Sequence, residues 1–161
     1  GRVGPGRGRK RRGRRKVLGI GKSEVGQHGK DVAIFGLGNM FGMAQEAAKK
    51  LEAQGVSVAL INPRWIKPLD TGTLEFFARS VQVVCTMEDH VLHNGFGCSI
   101  MEHLSTQHIT TPVVRIGWPD QFVEHGSPDI LRKKHGLTAE NAVKTILAVL
   151  PAEKSGAKSV A

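Results

Sequence analysis

Residues 81–107, VQVVCTMEDHVLHNGFGCSIMEHLSTQ, decide the fold. The apolar run Val81–Met87 lacks polar alternation, the pattern of a strand buried on both faces. Glu88 and Asp89 follow, then a polar loop carrying His90, His93 and Asn94. Gly95 and Gly97 let the chain turn close to other backbone. Ile100, Met101 and Leu104 then recur at helical spacing. The stretch reads as strand, polar loop, helix.

The same unit recurs on either side. Upstream, Lys22–Gln27 reads as a short strand and His28–Asp31 as a tight turn. Asp31–Leu37 follows as a buried strand, and the two strands read as a hairpin with the first at a sheet edge. Gly36-Leu37-Gly38-Asn39 leads into a helix from about Met40 to Gln54, with Asn39 as N-cap and Gly55 as terminator. Val56–Ile61 is the next strand. After the loop 62–70, Asp70 or Thr71 caps a helix to about Arg79, with Leu74, Phe77 and Ala78 inward. Downstream, Pro112–Gly117 is a strand, 118–127 a loop and Pro128–His135 a short helix. Thr138 caps the last helix, whose stripe is Ala139, Ala142, Val143, Ile146, Leu147 and Leu150. Pro151 stops it. Strands alternating with helices at this spacing predict an α/β three-layer sandwich. Its five-stranded sheet is mostly parallel, with one antiparallel edge strand.

The 161 residues suffice for one domain with a proper core. The formal charge of +9 is unevenly placed. Residues 1–16 hold nine Lys/Arg and no acid, while the rest of the chain balances 14 bases against 14 acids. The expected organisation is therefore a disordered Gly/Arg head over 1–16, a folded domain over 17–150 and a frayed tail over 151–161. The head reads either as a nucleic-acid-binding arm or as a linker or sequence foreign to the domain. No aromatic is interleaved for base stacking, which favours the second. Nucleic acid is thus a partner only through residues 1–16. Two cysteines, Cys85 and Cys98, suit a reducing compartment, with pairing between them left open. No apolar run approaches the roughly 20 residues of a membrane helix, and the head has neither the apolar segment of a secretory signal nor the character of a transit helix.

In a parallel sheet, ligand-contacting loops gather at the carboxyl ends of the strands. Four loops qualify: 36–39, 62–70, 88–97 and 118–127. Gly36, Gly38 and Gly42 resemble a dinucleotide loop, but Asn62 stands where a ribose-binding acid belongs. A small nucleotide-binding domain is therefore the weaker alternative. His90, His93, Asp120 and His125 invite a metal reading, without an HExxH motif or cysteines at ligand spacing. The same histidines suit general-base work, but no Gly-x-Ser-x-Gly turn accompanies them. His103 and His108 read as solvated. Arg64 and Glu88 follow two strands; if these are neighbours, a charged pair would brace the two loops. Exposed Trp65, Phe96, Trp118 and Phe122 on this edge would mark a surface covered by another domain.

The succession GKDVAIFGLGNM, NPRWIKPLD, MEDHVLHNGFGCSIMEHL and GWPDQFVEHGSP resembles the carboxyl-terminal domain of the 1-deoxy-D-xylulose-5-phosphate synthases. These are thiamin-diphosphate enzymes of the transketolase family. The resemblance spans Val17–Leu150, and the PD-x-F-x-EHG loop points to the synthases within the wider family. It implies a transketolase C-terminal-like fold that supports a middle domain and a homodimer. It implies an enzyme that condenses pyruvate with glyceraldehyde 3-phosphate, releasing carbon dioxide, for isoprenoid, thiamin and pyridoxal synthesis. The diphosphate of thiamin diphosphate and the magnesium would be held by an amino-terminal domain and the thiazolium ring activated by a glutamate of a middle domain, with no catalytic, cofactor-binding or metal residue carried here. The residues expected to serve structure and docking are Arg64, Asp70, Glu88, Phe96, Asp120, Phe122, Glu124 and His125. The family's Gly-Gly-Phe-Gly becomes Asn94-Gly95-Phe96-Gly97, and Asn tolerates a left-handed backbone. Alone, such a chain is expected to be catalytically silent. Its compartment would be the bacterial cytoplasm, or the plastid of a photosynthetic eukaryote.

Overall fold

A computed structural model describes residues 19–121 and 125–151. The expected basic head, and the tail beyond Pro151, lie outside these residues. The strands are β1 (Glu24–Gln27), β2 (Val32–Gly36), β3 (Val58–Asn62), β4 (Val83–Val91) and β5 (Val113–Trp118). The helices are α1 (Phe41–Glu52), α2 (Thr71–Ser80), α3 (Phe96–Thr106), α4 (Pro128–Lys134) and α5 (Ala139–Val149). They form one five-stranded sheet in the order β1-β3-β2-β4-β5. All pairings are parallel except β1 with β3. The mixed sheet between helical layers is as the sequence predicts.

The alternation along each strand sorts the core into two sets. Val32, Ile34, Val58, Leu60, Val83, Cys85 and Met87 face one side, against α1 and α5. Ala33, Phe35, Ala59, Ile61 and Val84 face the other, against α2 and α3. Central strands covered on both faces have no place for polar alternation, which is why these segments read as continuous apolar runs. Burying each large core side chain contributes roughly 1.5–3 kcal/mol. No helix among the described residues is long and apolar enough to cross a membrane.

Three expectations are corrected. β1 and β2 are not a hairpin: β2 has β3 on one side and β4 on the other, so β1 pairs with β3 instead. The turn between them runs across the start of β3, where the Asp31 carboxylate accepts from the Ser57 amide at 2.8 Å. Asn39 does not cap α1. It lies in a 3₁₀ turn over Gly38–Met40, and its side chain is used elsewhere. β4 continues through Glu88, Asp89 and His90 to Val91, so the expected polar loop begins later. Asp70 and Thr138 cap α2 and α5 as read, accepting from the amides of Thr73 and Asn141.

Candidate functional site: the carboxyl edge of the sheet

At the end of β4, two adjacent acids take opposite roles. Side chains alternate along a strand, so Glu88 and Asp89 point to opposite faces. Glu88 is 1% exposed. Its Oε2 accepts from the Phe96 amide at 2.6 Å and its Oε1 from the Gly97 amide at 2.9 Å. These are two of the otherwise unpaired N–H groups that open α3, where a negative charge is favoured by the helix dipole. The N-cap position is Gly95, which has no side chain to offer. Glu88 therefore supplies the cap from the neighbouring strand. Asn94 has φ +55°, as the Asn-for-Gly reading anticipates.

Asp89 gathers three elements on the other face. Its Oδ1 accepts from Trp118 Nε1 at 2.6 Å. Its Oδ2 accepts from Asn39 Nδ2 at 2.6 Å and Arg132 Nη2 at 2.7 Å. Burial pushes this carboxyl up, but the bonds from Trp118, Asn39 and Arg132 outweigh it and hold it below its ordinary value of 3.8. Asp70 behaves alike. Burial raises it; the Ser23 amide, the Thr73 hydroxyl and amide and the Lys22 ammonium lower it further than that. Through Ser23, Asp70 also ties α2 to the approach to β1.

A carboxyl depressed in the fold stabilises it above the unfolded pKa, and that contribution is lost as pH falls through the folded value. Stability should therefore be level near neutrality and fall below about pH 4. The double variant Asp70→Asn, Asp89→Asn should be less stable at neutral pH and show a shallower acid slope. Urea unfolding across this range checks it; an unchanged slope would reject the assignment.

The other expected residues fall out as follows. Arg64 and Glu88 do not brace each other. β2 separates their strands, and two strand spacings place the strand ends roughly 10 Å apart. Arg64, in a left-handed conformation at φ +62°, pairs with Glu24 of β1 at 3.7 Å. Phe96 is not an exposed docking residue: at 2% exposure it packs in the core beneath α3. Trp65 and Trp118 are half-buried, while Asp120 and His125 are exposed. Phe122 and Glu124 lie outside the described residues. His103 is not simply solvated, since its Nε2 lies 2.9 Å from Glu75 Oε1. His90 is exposed and bonds the Val91 carbonyl.

Sequence reasoning missed Arg132, the cation of the Asp89 hub. It belongs to α4, a short helix with no buried residue, and nothing in its spacing marks it. Arg115 was also missed; it donates from Nη1 to the Leu92 carbonyl at 3.2 Å and to Cys98 Sγ at 3.1 Å.

Thiamin diphosphate and magnesium, implied by the sequence resemblance, do not fit the described residues. No group of three His, Cys, Asp or Glu side chains gathers among them to hold a metal. Glu88 is filled by backbone amides, Asp70 by backbone amides and the Thr73 hydroxyl, and Asp89 by three side-chain donors. The geometry is that of a sheet edge whose charges fasten its own loops.

The family described as the transketolase C-terminal domain matches residues 21–142. The 1-deoxy-D-xylulose-5-phosphate synthase of Methylacidiphilum infernorum is 57% identical over 142 residues, covering 88% of this chain and 22% of that enzyme. The synthase of Acidobacterium capsulatum is 47% identical over 131 residues, covering 81% and 21%. The chain thus spans about a fifth of the length of these relatives. A solved split-gene transketolase, described as an inactive tetramer of beta subunits, superposes with a TM-score of 0.77 at 38% identity, covering 83% of this chain and 43% of that one. With the family model matching residues 21–142 and synthases of that family 57% and 47% identical over most of the chain, this chain belongs to the transketolase C-terminal domain family.

Proposed function

We propose that this chain serves as the carboxyl-terminal domain of a 1-deoxy-D-xylulose-5-phosphate synthase. The whole enzyme would condense pyruvate with glyceraldehyde 3-phosphate, with loss of carbon dioxide, in isoprenoid-precursor, thiamin and pyridoxal synthesis. Thiamin diphosphate, bound by the other domains, supplies the carbanion chemistry there. This domain supplies packing and assembly: it presents a rigid edge to the middle domain of the same enzyme and to a homodimer partner. Its expected compartment is the cytoplasm or a plastid. The observation that carries the reading is the 57% identity to the Methylacidiphilum synthase over 142 residues.

The geometry supports a scaffold role. The acids of the carboxyl edge fasten loops to the sheet, so the edge is fixed before anything docks on it. Exposed Ile66, Asp120 and His125 remain available on that side to a covering domain. The test is a chimera. In the Methylacidiphilum enzyme, the matching segment is replaced by that of this chain, and formation of deoxyxylulose phosphate and the size of the assembly are measured. Retained turnover and an unchanged assembly are expected. A folded chimera that neither assembles nor turns over would overturn the reading.

A further inference from the structure

We infer that the outer edge of β5 carries a binding site for a small oxyanion, a carboxylate or a phosphate group, centred on Arg115. A cavity of about 200 Å³ opens there, lined by Leu92, Arg115, Ile116, Pro119, His135 and Asn141 among others. Arg115 is half-buried. Its Nη1 donates to the Leu92 carbonyl and to Cys98 Sγ. Among the described residues no carboxylate lies within ion-pair distance of it. In this the residue differs from the other half-buried arginines: Arg64 pairs with Glu24 and Arg132 with Asp89.

A guanidinium is planar, permanently charged and weakly hydrated, and its fork of donors fits two oxygens of one anion. Drawing it partly out of water without an acid leaves a demand for negative charge at the cavity wall. The Asn141 side chain bonds the Gly136 carbonyl through Nδ2, which leaves its position on the wall fixed. The size selects the ligand class. Pockets that take nucleotides or drug-sized molecules are about 300–1,000 Å³. A cavity below that range admits an anion of a few heavy atoms, and Leu92, Ile116 and Pro119 give its carbon part an apolar wall.

Cys98 is a local reporter, because its sulfur touches Arg115 while Cys85 is buried and its thiol pushed up to about 12. An anion on Arg115 would block access to Cys98 and disfavour its thiolate. The experiment follows alkylation of Cys98 by iodoacetamide in the full chain, read by mass spectrometry, at constant ionic strength set with chloride. Inorganic phosphate and acetate are the two probes. The rate should fall by a factor of 1 + [anion]/Kd for the better probe, and which probe protects identifies the anion. Arg115→Lys should weaken protection and Arg115→Gln should abolish it, with circular dichroism confirming that both remain folded. No protection by either anion, or equal protection in wild type and the Gln variant, would overturn the site. If the Gln variant fails to fold, undiminished protection in the Lys variant would do the same, because a point charge without the planar fork should bind less tightly.

Discussion

Glu88→Ala should lower the unfolding free energy of this chain by about 3–5 kcal/mol. The carboxylate is buried, and both its oxygens accept from backbone amides at the start of α3. Alanine leaves both N–H groups without a partner in a place that water does not reach. Each such orphan costs roughly 1–3 kcal/mol. The lost helix-dipole interaction and the void add to it. Against a typical domain stability of about 5–15 kcal/mol this is a large share, and Tm should drop on the order of 10 °C. Glu88→Gln retains one acceptor oxygen and should lose less. Thermal and urea unfolding followed by circular dichroism would decide. An alanine variant within about 1 kcal/mol of wild type would mean that α3 is not held by this cap.

Gly29→Ala should cost about 3 kcal/mol or more, through a different mechanism. A Cβ at this position would stand 2.1 Å from the Val58 carbonyl carbon, 2.3 Å from the Ala59 nitrogen and 2.5 Å from the Val58 oxygen. These are backbone atoms of a strand held on both sides, by β1 and β2. They cannot move aside as a side-chain tip can, so β1 or its turn must lift off. Gly42→Ala is the control. Nothing lies within 4 Å of its Cβ position in α1, and alanine there should be neutral or stabilising by up to about 1 kcal/mol. Equal effects at the two glycines would show that the close approach at Gly29 is not what holds the turn.

Both residues stood in view in the sequence, but their roles did not. Glu88 follows an apolar run and precedes a glycine-rich turn, so it looked like an active-site or bridging acid. Its partners are eight and nine residues further on, across a turn whose path no periodicity specifies. Gly29 looked like an ordinary turn glycine. Its necessity comes from Val58, which is remote in sequence. Asp70 was different: its capping bond to Thr73 is local, and local hydrogen bonds can be read from residue type and spacing. Asn94 was legible from residue type, because Asn tolerates the left-handed backbone that its φ of +55° shows.

The sequence by itself determined the element order, the three layers and the mostly parallel sheet. Those follow from short-range pattern: runs without alternation must be buried on both faces, and stripes at helical spacing must face a core. It also determined the family, because the loop motifs occur in a specific order. Only the tertiary structure decided which strands are neighbours. Inserting β2 between β3 and β4 separated Arg64 from Glu88 and gave β1 to β3 rather than β2. Only the tertiary structure turned Phe96 inward, made Asp89 the hub for Asn39, Trp118 and Arg132, and placed Arg115 on a cavity wall with no carboxylate among the described residues in ion-pair distance. Side-chain periodicity reports which face of an element is buried, but carries no information about which other element lies beside it.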